Sequence, residues 1–429
     1  MRRKNVFVIA LDRFNRRKLE ALRCAGECRF HRLLSDEVLS GEGPEGYDVE
    51  RIITEGMGEL DAFDGPVDAV IAYRDFPESS IQPILARHCN VQSASLEAVL
   101  QCEHKYWSRV EQLRAVPENV PAFTRFRPFD PDPRSQIDLD YPFWMKPVKS
   151  FASHLGFKIE NDADFERALD RTRRHVRSLT APFQTVTRRA AIPEDVADNG
   201  ETYCIAEQIV SGHQCTLEGC RSAGETFILG IVDSIRFPGT SSFCRYQYPS
   251  SLPENVKQQM RTLAQRLVEQ IGYDNACFNI EFFWNESENR IWLLEINPRI
   301  AFHHADLFEK VHGYSNYEMA VQVALGRQPD FELGAGPYAM AATCFWREFE
   351  DGVVLEVPSD DQLCAIEKRY DALVEIKAKP HKRLSELPEQ DAYSYQVALI
   401  YVGGDREEEL IRHFEQVRNN LGVRIARES

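Results

Sequence analysis

The sequence lacks several features that would assign it to particular classes of protein. It has no run of about 18 apolar residues, the length that a membrane-spanning helix requires, so we predict no membrane segment. It also lacks an excess of basic residues, because 51 Lys and Arg stand against 67 Asp and Glu, for a net charge of −16. Since general nucleic-acid binders neutralise phosphates with a basic surface, this balance argues against nucleic acid as a partner.

Two common motifs are missing as well. The 11 cysteines include no Cys-x-x-Cys pair, so we expect reduced, mostly buried thiols of a cytoplasmic protein rather than zinc ligands. No Gly-x-Gly-x-x-Gly follows the first apolar run, residues 6–10, which disfavours an ordinary Rossmann oxidoreductase. A transit peptide is an alternative for the basic N-terminus, but a buried strand followed by an amphipathic helix is favoured.

The order of apolar runs indicates a chain of mixed class. A length of 429 residues allows about three domains of ordinary size. Apolar runs at residues 6–10 and 67–73, with helical segments around them, predict an α/β layer of Rossmann type over residues 1–100. The later segments predict antiparallel strands mixed with helices. We therefore predict a fold that combines α/β and α+β parts.

The most informative segment is a predicted β-hairpin at residues 278–297. Two apolar strands flank the polar turn Asn-Glu-Ser-Glu-Asn, which is typical of a hairpin. Symmetric pairing about the turn places Glu281 opposite Glu295, with Cβ atoms about 4.5–5.5 Å apart. The same register places Asn279 opposite Asn297. Two carboxylates so close repel each other unless one is protonated or a cation lies between them.

The residue types at this hairpin favour magnesium. Glu281, Glu295 and Asn297 offer two carboxylates and an amide oxygen, and Mg²⁺ takes the rest of its shell from water and phosphates. Arg299, directed to the same end of the strand, adds a group suited to phosphate or carboxylate. Two alternatives stay open: a solvated hairpin face, or a register shifted by one residue, which would turn one glutamate away.

The step from Glu281 to Glu295 and the run Glu295-Ile-Asn-Pro-Arg299 resemble the magnesium-binding signature of ATP-grasp enzymes. The resemblance covers residues 100–330 best and the remainder loosely. It implies an ATP-grasp fold with an N-terminal Rossmann-like pre-ATP-grasp domain at residues 1–100 and a lid region at residues 101–205. A nucleotide- and metal-binding subdomain at residues 206–330 and a C-terminal mixed cap at residues 331–429 would follow. In this family, ATP with Mg²⁺ or Mn²⁺ converts a carboxylate to an acyl phosphate, which an amine or another nucleophile captures.

The resemblance also implies which residues bind ATP. Lys146, on an apolar strand, and Lys105, ahead of a helix, stand where the family's two phosphate-binding lysines are expected. The ordinary alternative for each lysine is a side chain that reaches solvent. Ser153 lies in the loop that would cover the phosphates. For the adenine hinge and the ribose, the candidates are Glu207, Ile209 and Gln214.

Residues 236–249 resemble the substrate-covering loop of the subgroup that joins amino acids into dipeptides. Tyr246 stands where that subgroup has a histidine. Arg299 is the expected catalytic residue, because it would hold the carboxylate and then the acyl phosphate. The substrate candidates are Arg236, Arg245, Tyr246 and His303. For both loop arginines, a solvated side chain is the alternative.

These expectations predict an ATP-dependent carboxylate–amine ligase similar to L-amino-acid ligases, which forms a peptide-like amide and releases ADP and phosphate. Its partners would be a small carboxylate and an amine, and a homodimer through the first domain is common in such relatives. Two alternatives remain open. One is a biotin-carboxylase-like or purine-biosynthetic enzyme that uses bicarbonate or formate. The other is a nucleotide-binding regulatory or scaffold protein without turnover.

Overall fold

The computed structural model describes residues 2–40, 46–150, 155–197, 202–387 and 393–427. The chain begins with a parallel sheet made of β1 (Lys4–Ile9), β2 (Cys28–Leu33) and β3 (Ala69–Ile71). In this sheet β1 is the central strand. Val6 and Val8 pack into one hydrophobic cluster and Phe7 and Ile9 into another, so β1 is buried on both faces and its centre is entirely apolar.

Helices complete this first layer and connect it to the rest of the chain. They are α1 (Arg13–Glu20), α2 (Val49–Asp61), α3 (Glu78–His88), α4 (Leu96–Glu103) and α5 (Lys105–Ala115). Asp12 begins α1 by accepting a hydrogen bond from the Asn15 N–H, and Ser95 begins α4 in the same way from Ala98. The α/β layer predicted for residues 1–100 is therefore present.

A second, antiparallel sheet of four strands follows, in the order β4-β7-β5-β6. Its strands are β4 (Phe123–Phe126), β5 (Phe143–Pro147), β6 (Phe157–Ile159) and β7 (Cys204–Gln208). Two helices, α6 (Asp162–His175) and α7 (Arg177–Thr187), lie between β6 and β7 in the chain. Phe165, Ala168 and Leu169 of α6 pack against this sheet, which gives the subdomain its own small core.

An eight-stranded sheet forms the largest part of the molecule. Its strands in chain order are β8 (His213–Ser222), β9 (Glu225–Arg236), β10 (Phe243–Tyr248), β11 (Ala276–Asn285), β12 (Arg290–Asn297), β13 (Met340–Glu348), β15 (Leu373–Ile376) and β16 (Tyr395–Gly404). Their spatial order is β12-β11-β8-β9-β10-β13-β16-β15. A separate pair consists of β14 (Val353–Glu356) and β17 (Arg424–Ala426).

Helices cover both faces of the large sheet. They are α8 (Glu254–Ile271), α9 (Ala305–His312), α10 (Asn316–Ala324), α11 (Asp360–Tyr370) and α12 (Glu407–Asn420). Leu263, Leu267 and Ile271 of α8 pack against one face of β8 and β11, as their spacing predicts. That packing turns the polar side chains of β8 and β11 to the other face, which is the face that α9 and α10 approach.

Two expectations about organisation differ from the structure. The predicted boundary after residue 205 falls inside β7, and the predicted boundary at 330 does not separate two sheets, because β13 pairs directly with β10. The expected loop at residues 236–249 is also wrong in part, since residues 243–248 form β10 in the middle of the large sheet. The mixed α/β and α+β class is confirmed. Among the described residues, no helix could cross a membrane.

Candidate active site

The hairpin of β11 and β12 has the predicted register at its polar end. Glu281 pairs with Glu295, and Asn279 pairs with Asn297. Near the turn the register differs by one residue, because Phe282 pairs with Leu293 and a bulge lies between the two halves. The bulge places both glutamates on the same face of the sheet. Without it, Glu281 would oppose an apolar residue.

The two opposed carboxylates differ in their electrostatic surroundings. Burial, followed by the charge of Glu295, raises the pKa of Glu281 above its usual value. Burial acts in the same direction on Glu295, but Lys105 and Lys146 outweigh it and lower its pKa. Lys105 Nζ donates to Glu295 Oε1 at 2.9 Å. The pair therefore holds at least one ionised carboxylate beside ammonium groups.

The two lysines are brought together by a backbone contact. Lys105 is the first residue of α5, and its N–H donates to the carbonyl of Val148, just beyond β5, at 2.8 Å. Lys146 lies on β5 and forms an ion pair with Glu207, with 2.6 Å between Nζ and Oε2. Burial lowers the pKa of Lys146, while Glu207 acts in the opposite direction. Both ammonium groups thus lie on the cleft between the small and large sheets.

Glu207 is the centre of a buried ion triad. Arg109 Nε donates to Glu207 Oε1 at 2.6 Å, and Lys146 binds the other oxygen. Burial alone would raise the pKa of Glu207, but Arg109 and Lys146 hold it at about 2. Arg109 also donates to the Leu293 carbonyl of β12 at 2.9 Å. The triad therefore joins the small sheet, α5 and the hairpin of β11 and β12.

Arg299 is held from the first domain. Its Nε and Nη2 donate to the two carboxylate oxygens of Asp75 at 2.6 and 2.8 Å, a bidentate pair. Burial alone would raise the pKa of Asp75, but Arg299 lowers it. The third guanidinium nitrogen, Nη1, donates to the Ile300 carbonyl at 3.2 Å. Asp75 thus fixes the plane of the Arg299 guanidinium beside the opposed glutamates.

The family model described as ATP-grasp domain matches residues 139–304. This part of the chain is an ATP-grasp domain. Lys105 and Arg109 precede the matched range, and Asp75 belongs to the layer ahead of it. The remaining members of the cluster, Lys146, Glu207, Glu281, Glu295 and Arg299, lie inside it.

Curated relatives match only part of the chain. The carbamoyl phosphate synthase large chain, C-terminal section, of Methanopyrus kandleri is 28% identical over 136 residues, which are 30% of this chain and 24% of that protein. The large chain of carbamoyl phosphate synthase from Thermoanaerobacter sp. is 26% identical over 126 residues, 29% of this chain and 10% of that protein. The match therefore spans a quarter or less of these relatives.

Solved structures extend the likeness over the whole chain. An L-amino acid ligase from Bacillus licheniformis has a TM-score of 0.75 at 16% identity, with 100% of both chains covered. A biotin carboxylase from Campylobacter jejuni has a TM-score of 0.64 at 16% identity, with 98% of this chain and 92% of that chain covered. At such identities the likeness concerns the fold alone. The predicted ATP-grasp fold is confirmed.

The ATP-grasp domain arranges oxygen ligands as Mg²⁺ prefers. Asn297 Nδ2 donates to Asn279 Oδ1 at 2.9 Å, which leaves the Asn297 amide oxygen as the atom that can face a cation. With Glu281 and Glu295 it forms a hard-oxygen set. Among the described residues, no group of three or more His, Cys, Asp or Glu side chains could hold a metal ion. Two carboxylates and one amide oxygen suit Mg²⁺, which takes the rest of its shell from phosphates and water.

Four predicted substrate or nucleotide residues, Gln214, Arg236, Tyr246 and His303, lie on or against one face of the large sheet. Gln214 donates to Glu281 Oε2 at 3.2 Å and accepts from Arg236 Nη2 at 2.7 Å. Tyr246 lies near Glu281 and Arg299, whose charges act on its hydroxyl. The His303 ring is 6.5 Å from the Tyr246 ring, between centroids. Gln214 thus lies directly beside Glu281, one of the two opposed carboxylates.

Arg245 corrects the prediction for the substrate loop. Because Arg245 and Tyr246 are neighbours on β10, their side chains point to opposite faces of the sheet. Arg245 bonds Gln247 Oε1 at 2.9 Å and pairs with Glu407 of α12. It therefore lies away from the ATP-grasp site. Arg245 was expected in a substrate-covering loop, but on β10 its side chain points to the face opposite that of Tyr246.

The residues expected at the adenine hinge differ in their surroundings. Glu207 contributes its side chain to the ion triad, whereas Ile209 is about one-third exposed at the end of β7. An apolar side chain at that edge suits contact with a flat ring. Ser153, expected in the phosphate-covering loop, lies outside the described residues.

Three residues around the ATP-grasp site were not predicted. Asp75 follows β3, and the carboxyl end of a parallel strand is the usual edge for sites in α/β layers. Arg109 stands four residues after Lys105, a spacing that places both on one face of α5. Lys149 is buried beside Phe76 and Phe183 and pairs with Glu103. Burial lowers the pKa of Lys149 to about 8, and no spacing signal in the sequence pointed to it.

Proposed function

We propose that the chain is an ATP-dependent ligase that joins a small carboxylate, such as an amino acid, to an amine through an acyl phosphate. ADP and phosphate are the other products. The observation that supports this most directly is the direct opposition of Glu281 and Glu295 beside Lys105, Lys146 and Arg299. Opposed carboxylates among cationic groups suit a magnesium–triphosphate complex rather than a neutral ligand.

Each cationic group has a role that follows from its position. Lys105 and Lys146 line one small pocket with Glu207 and Glu295, and they bind and orient the phosphates there. A divalent cation held by Glu281, Glu295 and Asn297 would offset phosphate charge during transfer of the terminal phosphoryl group. The counter-carboxylates keep both lysines in place, so little reorganisation accompanies nucleotide binding.

Arg299 orients the carboxylate that is phosphorylated. Asp75 occupies two of its guanidinium nitrogens, so the substrate contacts Arg299 through its remaining N–H groups. The ion pair raises the pKa of Arg299 although burial opposes it, and the guanidinium stays charged throughout turnover. A fixed positive charge at this position stabilises the acyl phosphate until the amine attacks.

An assay of phosphate release tests the proposal. The full chain is incubated with ATP and Mg²⁺ and with pools of amino acids, and the products are analysed by mass spectrometry. We expect phosphate release that requires both an acid and an amine, with a product lighter than their sum by one water. Release in every pool without such a product would contradict amide formation.

Bicarbonate is the acid of the second candidate function. The curated relatives that match the chain are carbamoyl phosphate synthases, and a biotin carboxylase shares the fold. Phosphate release that requires bicarbonate and no amino acid would favour this function. ATP binding without any release would instead favour a nucleotide-binding protein that does not turn over.

Two finer expectations belong to the proposal. A cytoplasmic location is supported by the cysteines, since all 11 are free thiols in the structure.

A homodimer through the first domain is the expected assembly, and size-exclusion chromatography with light scattering measures it. A mass of one chain, 49.3 kDa, would contradict the dimer.

We predict that ATP and Mg²⁺ together stabilise the chain against heat. A ligand at 100 times its Kd adds about 2.7 kcal/mol to the free energy of unfolding. Because Glu281 and Glu295 repel each other when both are ionised, ATP without a divalent cation should stabilise much less. Differential scanning fluorimetry with ATP and Mg²⁺, and then with excess EDTA, measures the difference. Equal melting temperatures in both solutions would contradict the metal assignment.

We also predict that Asp75→Asn lowers kcat by at least about tenfold, because a small misplacement of a catalytic group costs up to about 100-fold. The neutral amide keeps one hydrogen bond to Arg299 and loses the bidentate ion pair. Asp64→Asn, an exposed position in the same domain, is the matched control. A kcat within twofold of the unchanged chain would show that Asp75 does not position Arg299.

A further inference from the structure

A second polar cluster lies beside the proposed active site and has no role in the mechanism above. It consists of Lys18, His303, Asp306, Glu375 and Tyr401, which we call the inner polar cluster. These side chains come from α1, from the segment after Arg299, from α9, and from β15 and β16. The cluster therefore lies where the first domain, the ATP-grasp domain and the C-terminal strands meet.

The inner polar cluster contains several buried atoms without a partner. Four of its side-chain atoms have no hydrogen bond to any described residue: His303 Nδ1, Asp306 Oδ2, Glu375 Oε2 and Tyr401 OH. Tyr401 is fully buried. Buried polar groups are rarely left unpaired in folded proteins, because the lost hydrogen bonds with water are not replaced. Four such atoms in one place indicate a site that a ligand completes.

Contacts around Lys18 bring the cluster together. Lys18 Nζ donates to the Phe302 carbonyl at 3.3 Å and lies 4.4 Å from the centroid of the Tyr401 ring. Burial lowers the pKa of Lys18 to about 8, while the carboxylates of Asp306 and Glu375 act in the opposite direction. The same two carboxylates act on the Tyr401 hydroxyl. The unpartnered atoms thus share one region.

The cluster connects to the reacting groups through His303. This residue follows Arg299 by four positions, and its backbone carbonyl accepts from Thr343 Oγ1 at 2.7 Å. Its ring lies against Phe302, with 3.9 Å between centroids, and near Tyr246 of the substrate face. His303 therefore borders both the substrate face and the inner polar cluster.

The unpartnered atoms define the chemistry of the ligand. Lys377 Nζ donates to Glu375 Oε1 at 2.7 Å, and Lys310 Nζ lies 4.0 Å from Asp306 Oδ2. The two oxygens without a hydrogen bond, Glu375 Oε2 and Asp306 Oδ2, can only accept, so the ligand must present N–H or O–H donors to them. Lys18 already donates to a carbonyl and lies over the Phe14 and Tyr401 rings. An ammonium or guanidinium group has the required donors and offsets the carboxylate charge.

We propose that the inner polar cluster binds a cationic group at the far end of the amine substrate, which makes that substrate a diamine or a basic amino acid. This inference rests on the proposed ligase function. The reacting amine attacks the acyl phosphate that Arg299 holds, and the second, charged group of the same substrate reaches Asp306 and Glu375. A neutral side chain of the same length leaves Asp306 Oδ2 and Glu375 Oε2 without a hydrogen bond.

Binding measurements test the proposal without turnover. The full chain, saturated with a non-hydrolysable ATP analogue and Mg²⁺, is titrated in a calorimeter with L-lysine, L-norleucine or L-glutamate. L-Norleucine has the chain of lysine without its ε-ammonium group. We expect L-lysine to bind at least tenfold more tightly than L-norleucine. Equal affinities, or tighter binding of L-glutamate, would overturn the assignment.

Two variants connect the preference to the cluster. Glu375→Gln should reduce the affinity for L-lysine to that for L-norleucine, and Glu415→Gln, an exposed position on α12, is the matched control. Tyr401→Phe removes only an unpartnered hydroxyl, so its melting temperature should not fall while L-lysine affinity does. A lysine preference that survives Glu375→Gln would overturn the proposal.

The outcomes separate this inference from the proposed function. Ligation of neutral amines without any preference for lysine would overturn the inference and leave the ligase proposal intact. Lysine binding that depends on Glu375, together with no phosphate release for any acid and amine, would overturn the ligase proposal. The ammonium site would then stand as a binding site without a reaction.

Discussion

Replacing Glu295 by glutamine should lower ligase turnover by at least about 100-fold, the loss typical of removing one group that stabilises a transition state. Glu295 has two functions at once, because it opposes Glu281 and binds Lys105. Glutamine keeps the shape of the side chain and loses the charge that both a magnesium ion and Lys105 require. Phosphate release at saturating ATP and Mg²⁺ measures the effect.

The control for this variant is Glu288→Gln, which makes the same change in the exposed turn of the same hairpin. Its turnover should match that of the unchanged chain. The melting temperature of Glu295→Gln should stay within a few degrees, since the change also removes the repulsion between the two carboxylates. Full turnover by Glu295→Gln would contradict the metal assignment.

Replacing Glu207 by glutamine should cause the largest loss of stability. The carboxylate of Glu207 pairs with both Arg109 and Lys146, and all three side chains are almost completely buried. Removing one partner from a buried ion pair costs about 3–5 kcal/mol, because the remaining charges are left without compensation. Urea unfolding followed by tryptophan fluorescence measures the change. Glu194→Gln, an exposed position in the same part of the chain, is the control.

This loss of stability should depend on pH in a defined direction. The folded chain holds the pKa of Glu207 at about 2, below the ordinary value of 4.5. A carboxylate with a lowered folded pKa contributes its full stability above the unfolded pKa and loses it as pH falls toward the folded pKa. The gap between the unchanged chain and Glu207→Gln should therefore narrow from pH 4.5 toward pH 2. A constant gap would show that folding does not lower the pKa of Glu207.

The features that could be predicted from the sequence are local ones. Strand alternation was enough to place Glu295 and Asn297 on one face, and symmetric pairing about the turn predicted Glu281 opposite Glu295. The register depends on a bulge near Leu294, which the pattern of apolar residues does not show. Symmetric pairing about the turn predicted Glu295 as the partner of Glu281, but in the structure the bulge produces this pairing.

The features that could not be predicted depend on contacts between distant elements. Asp75 reaches Arg299 across 224 positions, and no periodicity relates the two. The resemblance to a substrate-covering loop predicted a loop at residues 236–249, so β10 was missed and Arg245 was placed wrongly. β2 contains Arg29, His31 and Arg32, which interrupt the apolar pattern of a buried strand.

Transfer of oxygen from the substrate to phosphate is the most direct test of the central claim, that the carboxylate is activated by phosphorylation. The full chain is incubated with ATP, Mg²⁺ and amino acids whose carboxyl oxygens are both ¹⁸O. An acyl phosphate leaves one labelled oxygen in the released phosphate and the other in the new amide. We expect one ¹⁸O in each phosphate released, measured by mass spectrometry. Phosphate without label, formed while ATP is converted to ADP, would contradict the account.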